Sequence, residues 1–354
     1  MLKQQAQHVI FRCDASNTIG TGHVMRCLTL AHALHNKGAI CAFVCRKAQG
    51  NLLEYIEQQG FKTHVLPESI NTNEDHTLTA AFVKTLKHPP EWLVVDHYFL
   101  DKTWESHLRP HVHKIMVIDD LANRPHDCDL LLDQNMVPDM AHRYVGRLPD
   151  RCTQLLGPKY ALLRPEFAEE RRHIMNRTFP PKHILLNFGG GDKEGMILKS
   201  LQALYIAGYA DKLTVVAGSQ NPDAQLIEAA CQKRPNTTYF ATTHDMAKLM
   251  RAADLAIGAG GSTTWERMCL GLPCVTVTIA DNQVEIAKFL SDNHYTFYAG
   301  FAAELTPEKL AKYLEKVFQD KEKFRGIEQY AHNHVDGNGT DIIADILLSK
   351  KSAK

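Results

Sequence analysis

The sequence predicts an α/β protein built from two doubly wound, Rossmann-like parallel-sheet domains facing a cleft. Three observations carry this. Short β-branched runs alternate with longer stretches of helical periodicity along almost the whole chain, which is the signature of parallel strands joined by crossover helices. Glycine-rich turns recur directly after the apolar runs. The 354 residues exceed one ordinary domain, and Pro180-Pro181 interrupts the alternation near its middle.

In the first half, strands are predicted over 9–13, 40–45, 62–66, 92–96, 115–119 and 130–133, with a last short one at Leu155-Leu156. An amphipathic helix is expected over 24–35. The pattern loosens between 154 and 181, through the charged run 166–172, and consecutive prolines cannot continue a helix. The expected division is therefore 1–178 and 179–354. In the second half, strands are predicted over 183–188, 213–217, 237–240, 255–257, 274–278 and 295–298. The tail from 306 to 348 reads as largely helical and is a candidate to cross back onto the first domain.

Charge and cysteine usage narrow the function. Lys+Arg and Asp+Glu both number 40, a balance that argues against nucleic acid or an anionic membrane surface as the main partner and favours a small molecule. The nine cysteines are scattered without a Cys-x-x-Cys pair and read as reduced, mostly buried thiols. Residues 1–9 are polar, with no basic stretch leading into an apolar run, and no apolar stretch reaches spanning length. A cytoplasmic enzyme is expected. The histidines show no His-Glu-x-x-His or comparable spacing, so no metal is assigned. Neither the neutral charge nor any heptad signals an obligate partner, so a monomer is expected.

Four constellations are candidates for chemistry, because ligands of doubly wound sheets bind at the carboxyl ends of strands. The first follows the first strand: Arg12, Asp14, then Gly20-Thr21-Gly22-His23-Val24-Met25-Arg26. Gly20 and Gly22 let the backbone approach a ligand, and the helix start offers N–H groups to an anion. The same field disfavours a cation, so His23 is expected to be neutral, as a general base must be. An ordinary tight turn with a solvent histidine fits the spacing equally well. A dinucleotide fingerprint does not, since Met25 stands where it needs glycine.

The second is Asp96-His97-Tyr98, with Asp119-Asp120 at the next strand end. Tyr98 offers a flat apolar surface and a hydroxyl. His97 reads equally as a satisfied structural histidine, and Asp120 as a turn cap; Asp129 and Asp133 read as turn formers.

The third is Gly189-Gly190-Gly191-Asp192, with a helix expected from about Lys193. Glycines cost backbone entropy and contribute no packing, so a backbone-lined pocket at Gly190 and Gly191 competes with a flexible hinge. The fourth is Gly258-Ala259-Gly260-Gly261-Ser262-Thr263-Thr264-Trp265-Glu266, followed by Asp281-Asn282-Gln283. Gly261 brings the backbone close, Ser262 is placed as N-cap, and the helix start suits a diphosphate. Glu266, one turn on, could accept both hydroxyls of a ribose or simply face the helix dipole. The phosphate loop of ATPases and GTPases is absent from the sequence.

Together these stretches, with Leu162-Leu163-Arg164-Pro165-Glu166-Phe167, resemble the UDP-2,4-diacetamido-2,4,6-trideoxy-β-L-altropyranose hydrolase family of pseudaminic acid biosynthesis, the PseG family. That family is related to the MurG-type glycosyltransferases, so the resemblance implies a GT-B, MurG-like fold. It also implies metal-independent hydrolysis without a cofactor, in which His23 activates the water that attacks the anomeric carbon and UDP leaves. Tyr98 would border the water and sugar, Gly190 and Gly191 would lie against the substrate, Ser262 would meet the pyrophosphate and Glu266 the ribose. Asn282 matches a position that contacts substrate. Gly191 stands where the pattern has a hydroxyl residue, and the tail beyond about 305 is longer than the shortest members need.

Two rival functions stay in view. A glycosyltransferase of the same architecture would seat an acceptor hydroxyl in place of water, and a lipid-linked acceptor would call for an apolar and basic cluster that residues 1–150 lack. A silent UDP-sugar-binding module would be expected to have lost the candidate base, yet His23 stands in its full motif.

Overall fold

The computed structural model describes residues 6–349, apart from 175, 193, 219 and 220. It divides into two compact units. The first takes in residues 6–135, 139–162 and 338–349, and the second residues 136–138 and 163–337.

The first unit runs β1 (His8–Cys13), α1 (Gly22–Asn36), β2 (Ile40–Arg46), α2 (Leu53–Gln58), β3 (Lys62–Leu66), α3 (Thr72–Thr85), β4 (Trp92–Asp96), α4 (Lys102–Leu108), β5 (Lys114–Ile118), β6 (Leu130–Asp133) and β7 (Thr153–Leu156). The second runs α5 (Pro165–Arg171), β8 (His183–Asn187), α6 (Met196–Ile206), β9 (Lys212–Val216), α7 (Ala224–Gln232), β10 (Thr237–Phe240), α8 (Met246–Ala252), β11 (Leu255–Ala259), α9 (Thr263–Cys269), β12 (Cys274–Thr278), α10 (Val284–Asp292), β13 (Phe297–Phe301), α11 (Pro307–Val317) and α12 (Lys321–His334). A final helix, α13 (Gly339–Leu348), returns to the first unit.

Both sheets are wholly parallel, with strand orders β3-β2-β1-β4-β5-β6-β7 and β10-β9-β8-β11-β12-β13. In each, the order reverses beside the first strand: between β1 and β4, and between β8 and β11. Adjacent crossovers leave on opposite faces there, which opens a crevice at the strand ends. The leading stretch of each of the four sequence constellations lies at the end of one of these four strands, while Asp119-Asp120 follows β5 and Asp281–Gln283 follows β12.

Strand alternation decides what each residue of β1 meets. Val9, Phe11 and Cys13 pack with Val24, Leu28 and Ala31 of α1 and with Ile343, Ala344 and Leu347 of α13. Ile10 belongs to the opposite layer with Val83, Trp104 and Leu108. Arg12 shares the side of Ile10, which explains its partners below. The last helix is tied to the sheet by Trp92, whose indole N–H donates to the Leu347 carbonyl at 2.8 Å, and by the Lys37–Asp345 ion pair at 2.7 Å.

The division falls at 162/163, not 178/179. Pro180-Pro181 does stop regular structure, but the chain has already joined the second unit by then. Arg171 donates to the Cys269 carbonyl at 2.7 Å. Arg177 is buried and donates to the carbonyls of Leu270, Gly271, Met250, Arg251 and Ala253. The expected strand 295–298 is instead Phe297–Phe301: Tyr295 N–H closes the end of α10 on Leu290 O, and the Thr296 hydroxyl meets that of Thr276. The helix expected from about Lys193, which lies outside the described residues, starts at Met196, with Asp192 accepting from the N–H groups of Met196 and Ile197 at 2.8 Å each.

Candidate functional site

At the first switch point His23 is the second residue of α1 and is buried at 5% exposure. Its Nδ1 lies 2.6 Å from Asp96 Oδ1, at the end of β4, and its ring meets that of Tyr98 edge-on at 4.4 Å between centroids. Arg26, one turn along α1 and so on the face of His23, grips the same carboxylate: Nε to Oδ2 and Nη2 to Oδ1, both at 2.6 Å. Its other edge takes Asp120 at 3.0 and 2.8 Å. Burial alone would raise the Asp96 pKa, but Arg26 and His23 more than offset it and hold the group well below the usual carboxylate range. An ionised carboxylate only accepts hydrogen bonds, so the His23 hydrogen belongs on Nδ1, and Nε2 is the basic nitrogen of the neutral ring. Besides the start of α1, His23 has the charged groups of Asp96 and Arg26 beside it.

Arg12 and Asp14, expected to touch substrate, are buried at 0% and 2% exposure. All five N–H groups of Arg12 are used: Nε and Nη2 reach Asp75, Nη1 and Nη2 reach Asp14, and Nη1 also reaches the Val44 carbonyl. Asp14 further accepts from Arg46 N–H and Nε at 2.7 Å each, and meets His97 Nε2 at 3.1 Å. Burial opposes ionisation of Asp14, yet Arg12 and His97 hold its pKa far below the ordinary value. The pair is a foundation under the site, because the alternation that sets Ile10 against α3 and α4 also sets Arg12 against Asp75 and Trp104, whose indole donates to Asp75 at 2.9 Å. His97 is the satisfied structural histidine of the two readings: its Nδ1 accepts from Phe99 N–H at 3.1 Å and so shapes the loop that carries Tyr98. Tyr98 is half-buried, while Gly20 and Gly22 are exposed.

Asp120 is engaged by Arg26 and by Asn135 Nδ2 at 3.0 Å, so it is part of the His23 network and not a turn cap. Asp129 accepts from Ile115 N–H at 2.8 Å and pairs with Arg109. Asp133 is buried, with Arg143, Tyr144 and Asn135 as donors, which makes it a core anchor as well as a turn former.

At the second switch point Gly190 and Gly191 follow β8 in a half-buried turn. The backbone of Gly218 passes so close to the Gly189 and Gly190 carbonyls that a side chain there could not be accommodated, whereas a methyl group on Gly191 would meet no atom within 4 Å. After β11, Gly261 adopts φ +101°, a left-handed conformation that only glycine takes without strain, and turns the chain into α9. Ser262 is the exposed N-cap residue, yet with helical φ −58° and ψ −31° its hydroxyl makes no capping hydrogen bond. Glu266 is half-buried, 3.5 Å from Arg164, which also pairs with Glu166 at 3.1 Å. Burial raises the Glu266 pKa, with Arg164 and Arg267 opposing. Asn282 is exposed in the turn before α10, and the neighbouring Gln283 packs on Gly260 and Gly261.

Asp75, Arg46 and the role of Arg164 escape sequence reasoning, because nothing local ties them to their partners. Asp96 and Arg26 were visible as motif members, and the spacing of 23 and 26 on one helix face was the available signal. Among the described residues no group of three His, Cys, Asp or Glu side chains could hold a metal ion, and no helix is long and apolar enough to cross a membrane.

Residues 195–340 match the glycosyltransferase family 28 C-terminal domain. The chain is 27% identical over 293 residues to the UDP-2,4-diacetamido-2,4,6-trideoxy-beta-L-altropyranose hydrolase of Campylobacter jejuni, covering 81% of this chain and 97% of that protein. It is 28% identical over 193 residues to the spore coat polysaccharide biosynthesis protein SpsG of Bacillus subtilis, covering 54% of this chain and 57% of that one. Among solved structures, MurG of Acinetobacter baumannii superposes with a TM-score of 0.68 at 16% identity, over 96% of this chain and 99% of that one. UGT89C1 of Arabidopsis thaliana, complexed with UDP, follows at 0.66 and 12%, over 97% and 100%. The fold is therefore GT-B, MurG-like, and the resemblance to the hydrolase family holds along most of the chain.

Proposed function

We propose that the chain is a UDP-sugar hydrolase. Its substrate in this reading is UDP-2,4-diacetamido-2,4,6-trideoxy-β-L-altropyranose, cleaved by water to UDP and 2,4-diacetamido-2,4,6-trideoxy-L-altrose. The observation that carries the reading is the fixed orientation of His23, whose Nδ1 is held by Asp96 at 2.6 Å while Tyr98 stands against its ring. A base must present a lone pair in a defined direction, and this arrangement supports Nε2 in that role. Water deprotonated there attacks the anomeric carbon, and the glycosidic C–O bond breaks with its electrons going to UDP. The overall similarity to the Campylobacter jejuni hydrolase supports the choice of substrate.

Tyr98, with Gly20 and Gly22, is assigned to the sugar half. Gly190, Gly191, Gly261, Ser262, Glu266 and Asn282 are assigned to the rest of the substrate, with backbone amides near Gly261 and Ser262 receiving the diphosphate and Glu266 the ribose. Arg12 and Asp14 act through His97 and not by contact.

Glycosyl transfer is the second reading, favoured by the match of residues 195–340 to a glycosyltransferase domain. One experiment separates them: incubation with the UDP-linked diacetamido sugar in heavy-oxygen water, with no acceptor. Turnover with label in the sugar and none in UDP supports attack at carbon by water. Label in UDP would place attack at phosphorus, and no turnover without an acceptor would sink the hydrolase reading.

A further inference from the structure

Of the nine cysteines eight are buried, and Cys152 alone is partly open to solvent. It directly precedes β7, and Cys128 lies two residues before β6, its neighbour in the sheet. Their Sγ atoms are 3.4 Å apart. With Leu130 and Thr153 in register, Cys128 and Cys152 sit one residue out of step on neighbouring strands spaced about 4.8 Å. The sulfurs need to close by roughly 1.4 Å to reach the ~2.05 Å of a bond. We propose that Cys152 and Cys128 are a built-in modification site, in which a peroxide oxidises the accessible Cys152 and the buried Cys128 resolves it to an intramolecular disulfide.

The chemistry balances in two steps. The Cys152 thiolate attacks one oxygen of hydrogen peroxide, the O–O bond breaks, and the products are Cys152 sulfenic acid and, after protonation of the released hydroxide, water. The Cys128 sulfur then attacks the Cys152 sulfur, the S–O bond breaks, and the hydroxyl leaves as water with the Cys128 proton. Two thiols have been oxidised by two electrons and one peroxide reduced to two waters. The division of labour follows from the surroundings. The hydrogen bond from Cys128 lowers the Cys152 pKa against the opposing effect of burial, and Arg151 adds to it. Of the remaining thiols of the first unit, Cys13, Cys27 and Cys41 are pushed up chiefly by burial, and Cys45 by its hydrogen bond with Cys13 and by burial, which leaves them inert.

The test uses the full reduced chain treated with one equivalent of hydrogen peroxide, alkylated, digested and weighed. The expected result is loss of two thiols and of two hydrogens in mass, a linked peptide pair joining residues 128 and 152, and full recovery with dithiothreitol. Cys128→Ser should leave Cys152 trapped as a dimedone-reactive sulfenic acid; if the hydroxyl unfolds the unit, Cys128→Ala takes its place. Cys152→Ser should abolish peroxide-dependent thiol loss. Sulfinic acid on Cys152 in the unsubstituted chain, a bridge between other cysteines, or no thiol loss would each overturn the proposal. None of these outcomes depends on the hydrolase reading.

Discussion

The carboxylate of Asp96 receives His23 Nδ1 and Arg26 Nη2 on one oxygen and Arg26 Nε on the other, each at 2.6 Å. Both neighbours require an acceptor, so the group is defined by its charge and not only its shape. Asn at position 96 has one acceptor oxygen. In either orientation the amide NH₂ meets an Arg26 donor; with the oxygen toward Arg26 Nε, the NH₂ also faces His23, which moves the ring hydrogen to Nε2 and removes the basic lone pair from where it is needed. Asp96→Asn is therefore expected to lower kcat by about 10²–10⁴, the range associated with a misdirected or missing base. UDP affinity, assigned to the second unit, should change less than about twofold. Nitrogen NMR of the His23 ring supplies a readout that mere loosening would not move: the neutral tautomer should switch. An unchanged tautomer with kcat near that of the parent chain would remove Asp96 from the mechanism.

The strands and the strand-end positions of the site were legible, because apolar runs bounded by glycines leave few alternatives. What carried no local signal was partnership. Arg12 and Asp14 stand beside a ligand-like motif in sequence, which suggests ligand contacts. Their true partners, Asp75 and Arg46, come from α3 and β2, and only the three-dimensional alternation of β1 brings Arg12 to Asp75. The unit boundary was obscured for a related reason: Pro180-Pro181 is loud in sequence, while the contacts that join α5 to the second unit, such as Arg251 with Glu170 at 2.5 Å, are silent. His23 stands out in sequence by its glycine-flanked motif, whereas its contact with Asp96, 73 residues away, has no local signal.

Asp133 should titrate near pH 6. Burial raises its pKa to about 6 and Asp120 adds to the shift, against the donors Asn135 N–H, Arg143 and Tyr144. Its unfolded value is about 3.9, so between roughly pH 4 and 6 the folded chain holds the extra proton. Stability from this group is fully present below about pH 4 and is lost as pH rises through 6, by about 3 kcal/mol for a shift of ~2 units. Asp14 and Asp96 have the opposite sign: their contribution is present above about pH 4 and is lost as pH falls toward their depressed values. Carbon NMR of the aspartate carboxyls should reveal one resonance with a midpoint near 6 that is missing in Asp133→Asn. A midpoint below about 4.5 would contradict the assignment.

Two glycines of the second unit should differ sharply in what they tolerate. Gly258 pairs in register with Asn187 across β11 and β8, and a methyl group there would fall on the Asn187 carbonyl oxygen and 3.2 Å from Arg267 Nη1. Both obstacles are fixed, the first by the strand ladder and the second because Arg267 donates to the Ala259 carbonyl at 2.7 Å and to the Thr263 and Thr264 hydroxyls at 3.2 Å each. Gly258→Ala is thus expected to cost about 1–3 kcal/mol through overpacking. Gly191→Ala meets open space and has no left-handed φ to strain, so its stability should stay within about 0.5 kcal/mol. Urea denaturation of the two variants beside the parent chain measures both. Equal losses would mean that the glycine run after β8 is as sterically constrained as β11. An effect confined to turnover in Gly191→Ala would instead support its assignment against the substrate.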